Sequence, residues 1–164
     1  KFDGARPSLF EVILRNPVST TGDEKLRFMV KAASIPASEI TPIQVPYFGR
    51  KINVAGTRTY QPWQIQVIND EDFTVRTAFE AWHSRINSSQ GNVRSLGGTD
   101  YRAEATVRQY NKEGAVIREY SFVNAWPTEV GPIELAWENG DAIEEFSVTL
   151  VYDYWLVNNA EVVV

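Results

Sequence analysis

The sequence predicts a mainly β chain, an antiparallel β-sandwich or barrel with one flanking α-helix. Three observations predict it. Short segments alternate apolar and polar residues with a period of two, as in Trp63, Ile65 and Val67 against Gln64 and Gln66, which is the pattern of a half-buried strand. Gly, Pro and Asn punctuate the chain between those segments, with Asn139-Gly140 the strongest hairpin signal. One stretch alone has helical spacing: Val75, Phe79, Trp82 and Ile86 recur at intervals of four, three and four.

The first strand is expected over residues 9–15, with Phe10, Val12 and Leu14 on one face, and ends at Asn16-Pro17. A second follows a Ser/Thr/Gly loop over 26–33, and the two are expected to pair as a hairpin. Pro36, Pro42 and Pro46 then hold the chain extended, since proline restricts the residue before it and donates nothing to a ladder. The helix is expected over 70–87, with Asn69, Asp70, Glu71 and Asp72 capping its start. Further strands are expected over 101–110, 115–123, 133–137 and 142–155. The last is the longest, with Phe146, Val148, Leu150, Tyr152 and Tyr154 opposed by Glu145, Ser147, Thr149 and Asp153.

At 164 residues and 43% hydrophobic, the chain is long enough for one domain with a full core. That domain is expected over 1–155, with 156–164 as a C-terminal tail. The absence of cysteine removes disulfides, thiolate metal sites and cysteine nucleophiles. A net charge of −5 opposes tight sequence-independent binding of nucleic acid, which needs a Lys/Arg surface. No apolar run approaches the roughly 20 residues that span a bilayer, so no membrane insertion is expected. The start, KFDGARPSLF, lacks the apolar centre of a signal peptide.

Signatures of catalysis are missing. The single histidine, His83, stands beside Trp82 without a signposted nucleophile or ligand set and reads as a surface or boundary residue. Asp70-Glu71-Asp72 lacks the alternate spacing of a calcium loop and reads as helix capping. Glu144 and Glu145 are adjacent on a strand, so they point to opposite faces and cannot act as a carboxylate pair. No catalytic residue, cofactor or metal is expected. Trp63 and Trp82 fall in phase with core residues, whereas Trp126, Trp137 and Trp155 are open to either core or interface roles.

The stretch GRKINVAGTRTY is a polar arm, spanning about residues 47–59, with no core of its own to cover. An arm of that kind can lie on a neighbouring copy, and exposed strand edges serve the same end. The blocks RKINVAGTRTYQPWQIQVIND, TAFEAW, VRQYNKEG and AWPTEVGPIELAWENGDAIEEFSVTLVYDYW resemble, in that order, the tail tube protein family of T4-type contractile-tailed phages. The resemblance runs from Ala5-Arg6-Pro7 to Trp155.

The resemblance implies a structural virion protein that carries no catalytic residues. Its strands would join a continuous inner β-barrel in a hexameric ring, and stacked rings would form the tail tube through which the genome leaves. Implied partners are further copies of the chain, a tail sheath protein, baseplate and tail terminator proteins, a tape-measure protein in the lumen, and DNA passing without specific binding. Assembly in the host cytoplasm follows. On this reading Tyr47, Arg50, Lys51, Asn53 and Arg58 are candidates for contacts between subunits or rings. Glu145, Ser147, Thr149 and Asp153, or Arg102, Glu104, Thr106 and Arg108, are candidates for the lumen. An alternative is the tube of a related machine, such as an R-type bacteriocin, a type VI secretion system or an extracellular injection system. A more distant one is a carbohydrate-binding or hydrolytic sandwich.

Overall fold

One long strand organises the chain. The computed structural model describes residues 9–17, 30–87, 101–133, 135–137 and 143–158. Its elements are β1 (Phe10–Leu14), β2 (Val30–Ala33), β3 (Ser38–Tyr47), β4 (Arg50–Tyr60), β5 (Trp63–Ile68), α1 (Thr74–Ile86), β6 (Ala103–Tyr110), β7 (Val116–Val130), β8 (Glu145–Val151) and β9 (Tyr154–Asn158). All pairings are antiparallel. Hydrogen bonding runs β1-β6-β7-β8-β5-β2, with β9 also on β7. The first half of β7 pairs with β6 and β9, and its second half pairs with β8. The sheet therefore folds over at the middle of β7 into two layers.

Asn124 marks the fold line. Its φ of 57° is left-handed, which asparagine tolerates better than most residues. Before it Phe122 points into the core; after it Ala125 and Pro127 do, so the inward-facing parity changes there. The expected long strand 142–155 breaks at the same corner. Asp153 N–H donates to the Val123 carbonyl, Asn124 Nδ2 donates to Asp153 Oδ2 at 2.7 Å, and Arg102 stands 3.7 Å from the same carboxylate oxygen. β8 and β9 thus lie in different layers, and Tyr154 is exposed instead of continuing the buried face of Phe146, Val148 and Leu150. β9 crosses the expected tail boundary and ends at Asn158.

Between the layers, Val12, Leu14, Ala105, Val107 and Phe122 meet Trp63, Ile65, Val67, Phe146, Val148 and Leu150. Trp63 and Phe122 stack with ring centroids 4.3 Å apart and planes 4° from parallel. The helix buries the expected face, Val75, Phe79, Trp82 and Ile86. Trp82 Nε1 donates to the Tyr101 carbonyl at 2.8 Å, and Asn16 Nδ2 to that of Ala78 at 2.9 Å.

Four expectations are corrected. β1 and β2 do not pair with each other: β1 lies on β6 and β2 on β5, because the intervening chain is far longer than a hairpin loop and lets them enter different layers. The helix starts at Thr74, not at residue 70. Phe73 is its N-cap at φ 55°, Asp72 Oδ1 accepts from Thr74 N, and Asn69 bonds Glu144 instead of the helix. Residues 133 and 135–137 are not a strand; Leu135 and Trp137 find no sheet and stay exposed. β7 runs on to Val130 through Pro127, where the register against β8 shifts, the kind of irregularity at which a strand accepts proline. The Asn139-Gly140 turn and residues 26–29 lie outside the described residues.

Candidate functional site: an unsupported hairpin and two outer faces

The arm is a β-hairpin standing off the sandwich. β3 and β4 pair with each other in a separate two-stranded sheet, and the Gln61 N–H bond to the Ala37 carbonyl closes its base at 3.1 Å. The turn is Phe48-Gly49, with φ of 46° and 73°, the two-residue I′ geometry that matches strand twist. At the base the register shifts between Ile40 and Pro42. There Gly56 is needed, because a Cβ would collide with the Thr41 carbonyl oxygen.

Its composition is amphipathic, not simply polar as the sequence suggested. Register places Ile43 opposite Val54, Val45 opposite Ile52 and Tyr47 opposite Arg50, so these six share one face. All five apolar members are exposed, and Phe48 at the tip is 90% exposed. Lys51 and Asn53 lie on the other face, opposite Pro46 and Gln44, and Arg58 lies opposite Ile40 below the bulge. The five candidate contact residues thus divide between two faces. Neighbouring residues on β4 alternate, which is why Arg50 and Lys51 cannot serve one flat surface. The apolar stripe went unseen because its halves, Ile43/Val45 and Ile52/Val54, are separated in sequence by the turn; pairing them across Phe48-Gly49 is the signal that finds it.

The two sets of lumen candidates occupy opposite outsides of the sandwich. On the β8 layer, Ser147 faces Gln66, Thr149 faces Gln64 and Glu129, and Glu145 pairs with Lys31 at 2.8 Å. This face is mostly uncharged amide and hydroxyl. On the β6 layer, Arg108 lies between Glu11 and Glu119 in register and bonds Glu119 at 2.9 Å. The Glu119 carboxylate raises the Arg108 pKa further above its ordinary value. The Tyr110 hydroxyl donates to Glu11, which raises the phenol. Thr106 faces Ser121, and Glu104 is exposed on the same side. Arg102 and Asp153 belong to neither face; they meet at the corner.

His83 Nε2 lies 3.2 Å from the Thr128 carbonyl and Arg76 Nη1 donates to that of Gly131, so the helix covers this part of β7. Among the described residues no group of three His, Cys, Asp or Glu could hold a metal, and no helix is long and apolar enough to cross a membrane.

Known proteins match this architecture and this sequence. Among solved structures, the chain resembles one in a sheath-tube complex of an extracellular contractile injection system, with a TM-score of 0.73 at 14% identity over 97% of this chain and 94% of that one. It also resembles the Hcp1 protein of E. coli EAEC 042, with a TM-score of 0.55 at 13% identity, covering 93% and 92%. These likenesses share the fold. In sequence it is 40% identical to tail tube protein gp19 of Enterobacteria phage T4 over 93% of this chain and 91% of that protein. A tail tube protein of Serratia phage KSP90 is 26% identical over 71% and 66%. The family described as "Phage tail tube protein" matches residues 5–158. The chain belongs to the phage tail tube protein family.

Proposed function

We propose that copies of this chain close into hexameric rings that stack as the inner tail tube of a contractile-tailed phage, a non-enzymatic conduit for the genome. The observation that carries this is the hairpin: a two-stranded sheet is marginal alone in water, and this one exposes Ile43, Val45, Ile52 and Val54 together. Surface of that kind marks a contact with another body, and in a tube family the body at hand is the next copy. Tyr47, Arg50, Lys51, Asn53 and Arg58 then belong to contacts between subunits or rings.

The β8 layer is the better lumen wall. Gln64, Gln66, Ser147 and Thr149 give a wetted face whose cation Lys31 is paired with Glu145, and Glu129 adds a weak repulsion for phosphate. DNA would slide over it without specific binding. The β6 layer would face outward, where exposed Tyr154 and Leu156 suit a protein partner, the tail sheath. Baseplate and terminator proteins would hold the tube ends, and a tape-measure protein would fill the lumen until ejection. Assembly would take place in the host cytoplasm, and the finished chain would reside in the virion.

Negative-stain electron microscopy of the purified chain over a concentration series, with sedimentation velocity on the same samples, tests the reading. Hollow six-fold rings or tubes are expected. Glycan binding by a strictly monomeric particle would replace the reading with the sandwich-lectin alternative.

A further inference from the structure

We propose that Glu145 keeps the channel from holding DNA by pinning down the one lysine of the lumen wall, Lys31. The inference rests on the tube reading, with the β8 layer as its wall, and deepens it by naming the residue that sets how that wall meets phosphate.

The layer consists of β2, β5, β8 and the second half of β7. These strands carry a single cation, Lys31, and two acids, Glu129 and Glu145. Glu145 alternates with buried Phe146 and Val148, so it stands on the outer face in line with Ser147 and Thr149. Lys31 is placed by an irregularity: the register of β2 on β5 shifts between Val30 and Ala32, and a bulge of this kind re-aims the side chain it carries. The Lys31 ammonium meets Glu145 Oε1 at 2.8 Å. Because β2 and β8 flank β5, their backbones are two strand spacings apart, about 9.5 Å. The lysine stem therefore lies across β5 along the wall instead of projecting from it.

Folding gains little from this pair. The Lys31 side chain is 57% exposed and that of Glu145 35%, and an ion pair so open to water is screened by salt. The consequence for a polyanion is larger. A free ammonium on a wetted wall takes phosphate oxygens and releases their counterions, and a ring of identical subunits presents it once per copy at the same height around the channel. A paired ammonium offers phosphate only a site already held by a carboxylate. With the pair neutral, Glu129 leaves the wall net acidic.

β2 is also the edge of its layer, and a lysine beside a bulge guards an edge against stray strand pairing. That protection needs Lys31 but not Glu145, so substituting each in turn separates the two readings.

The test compares tubes assembled from the parental chain, Glu145→Gln, Lys31→Gln and the double variant, after circular dichroism and thermal unfolding show the same core. Each is mixed with a short fluorescent duplex DNA over a range of salt, treated with a nuclease too large for the channel, and sedimented. Glu145→Gln tubes are expected to retain about tenfold more protected DNA than parental tubes at low salt and to release it as salt rises. Lys31→Gln and the double variant are expected to retain no more than the parent. Hollow Glu145→Gln tubes that hold only the parental amount overturn the inference and leave the tube reading intact. Retention that persists in the double variant does the same, because the lysine is then not its cause. DNA held by Glu145→Gln tubes but open to the nuclease would put the β8 layer on the outside, overturning the wall assignment and the inference with it. A parental chain that forms no hollow assembly overturns the tube reading and the inference together.

Discussion

Trp63 and Phe122 come from opposite layers and stack face to face at 4.3 Å, both fully buried. Removing the larger ring strands the smaller one over a void, so Trp63→Ala is expected to cost about 3–5 kcal/mol in chemical denaturation. Trp63 was legible as core because it alternates with Ile65 and Val67. Its neighbour Tyr152 was legible too, in phase with Phe146, Val148 and Leu150, and it packs against the core; the period-two reading fails only at Tyr154, beyond the break after β8. The Tyr152 hydroxyl donates to the Gln61 carbonyl at 2.7 Å, and burial pushes its pKa up to about 12 from an ordinary 10. Above pH 10 the unfolded chain loses this proton while the folded chain keeps it. The contribution to stability is therefore complete below pH 10 and lost as pH rises through 12. Tyr152→Phe is expected to flatten that part of the alkaline limb of the unfolding midpoint, and an unchanged slope would assign the limb to other groups. Phe48 is a third case. At φ 46° a phenylalanine costs on the order of 1 kcal/mol that asparagine largely avoids, so Phe48→Asn should slow hydrogen exchange of the hairpin amides in the isolated subunit about fivefold.

Among the elements, the helix face and most buried strand faces were legible because each is a local periodicity. Val75, Phe79, Trp82 and Ile86 needed no knowledge of partners. Strand pairing and the corner were illegible for the opposite reason: the parity changes at Asn124 and between Tyr152 and Tyr154 depend on the two turns meeting in space. One positive φ on β7 and one break after β8 are locked to each other by the Asn124–Asp153 hydrogen bond. The hairpin shows a third kind of dependence. Above Tyr60, whose ring meets Tyr152 and Trp155 at the base, it is built from its own ladder, so its outer part can be disturbed without touching the core. Gly56→Ala forces a Cβ onto the Thr41 carbonyl and to 3.0 Å from Ile43 Cγ1, and a backbone atom cannot yield cheaply. Faster hydrogen exchange throughout β3 and β4 is expected, with the thermal midpoint of the sandwich unchanged. A lowered midpoint would mean that the hairpin and sandwich unfold as one unit.

At the scale of the whole molecule, the sandwich has two outsides and a tube has one lumen, so the two candidate sets compete. The β8 layer offers Gln64, Ser147 and Thr149, and the β6 layer offers Glu104, Thr106 and Arg108. Sequence alone could name both sets, since each is the polar half of an alternating strand, but could not rank them. Ranking needs the far side of each layer: Lys31 neutralises Glu145 on one, while Tyr154 and Leu156 are exposed on the other. The absence of natural cysteine makes the choice measurable. Gln64 and Glu104 are both exposed in the single chain, so Gln64→Cys and Glu104→Cys should react equally with a maleimide carried on a polymer too large to enter the channel. After assembly, Gln64→Cys is expected to become protected while Glu104→Cys keeps reacting. A small maleimide should still label Gln64→Cys in the tube, because a lumen is wet even where a large polymer cannot follow. Protection of Glu104→Cys instead would reverse the assignment and put the Glu11–Arg108–Glu119 row against the passing DNA. Protection from both reagents at Gln64 would place that face in a dry contact between subunits.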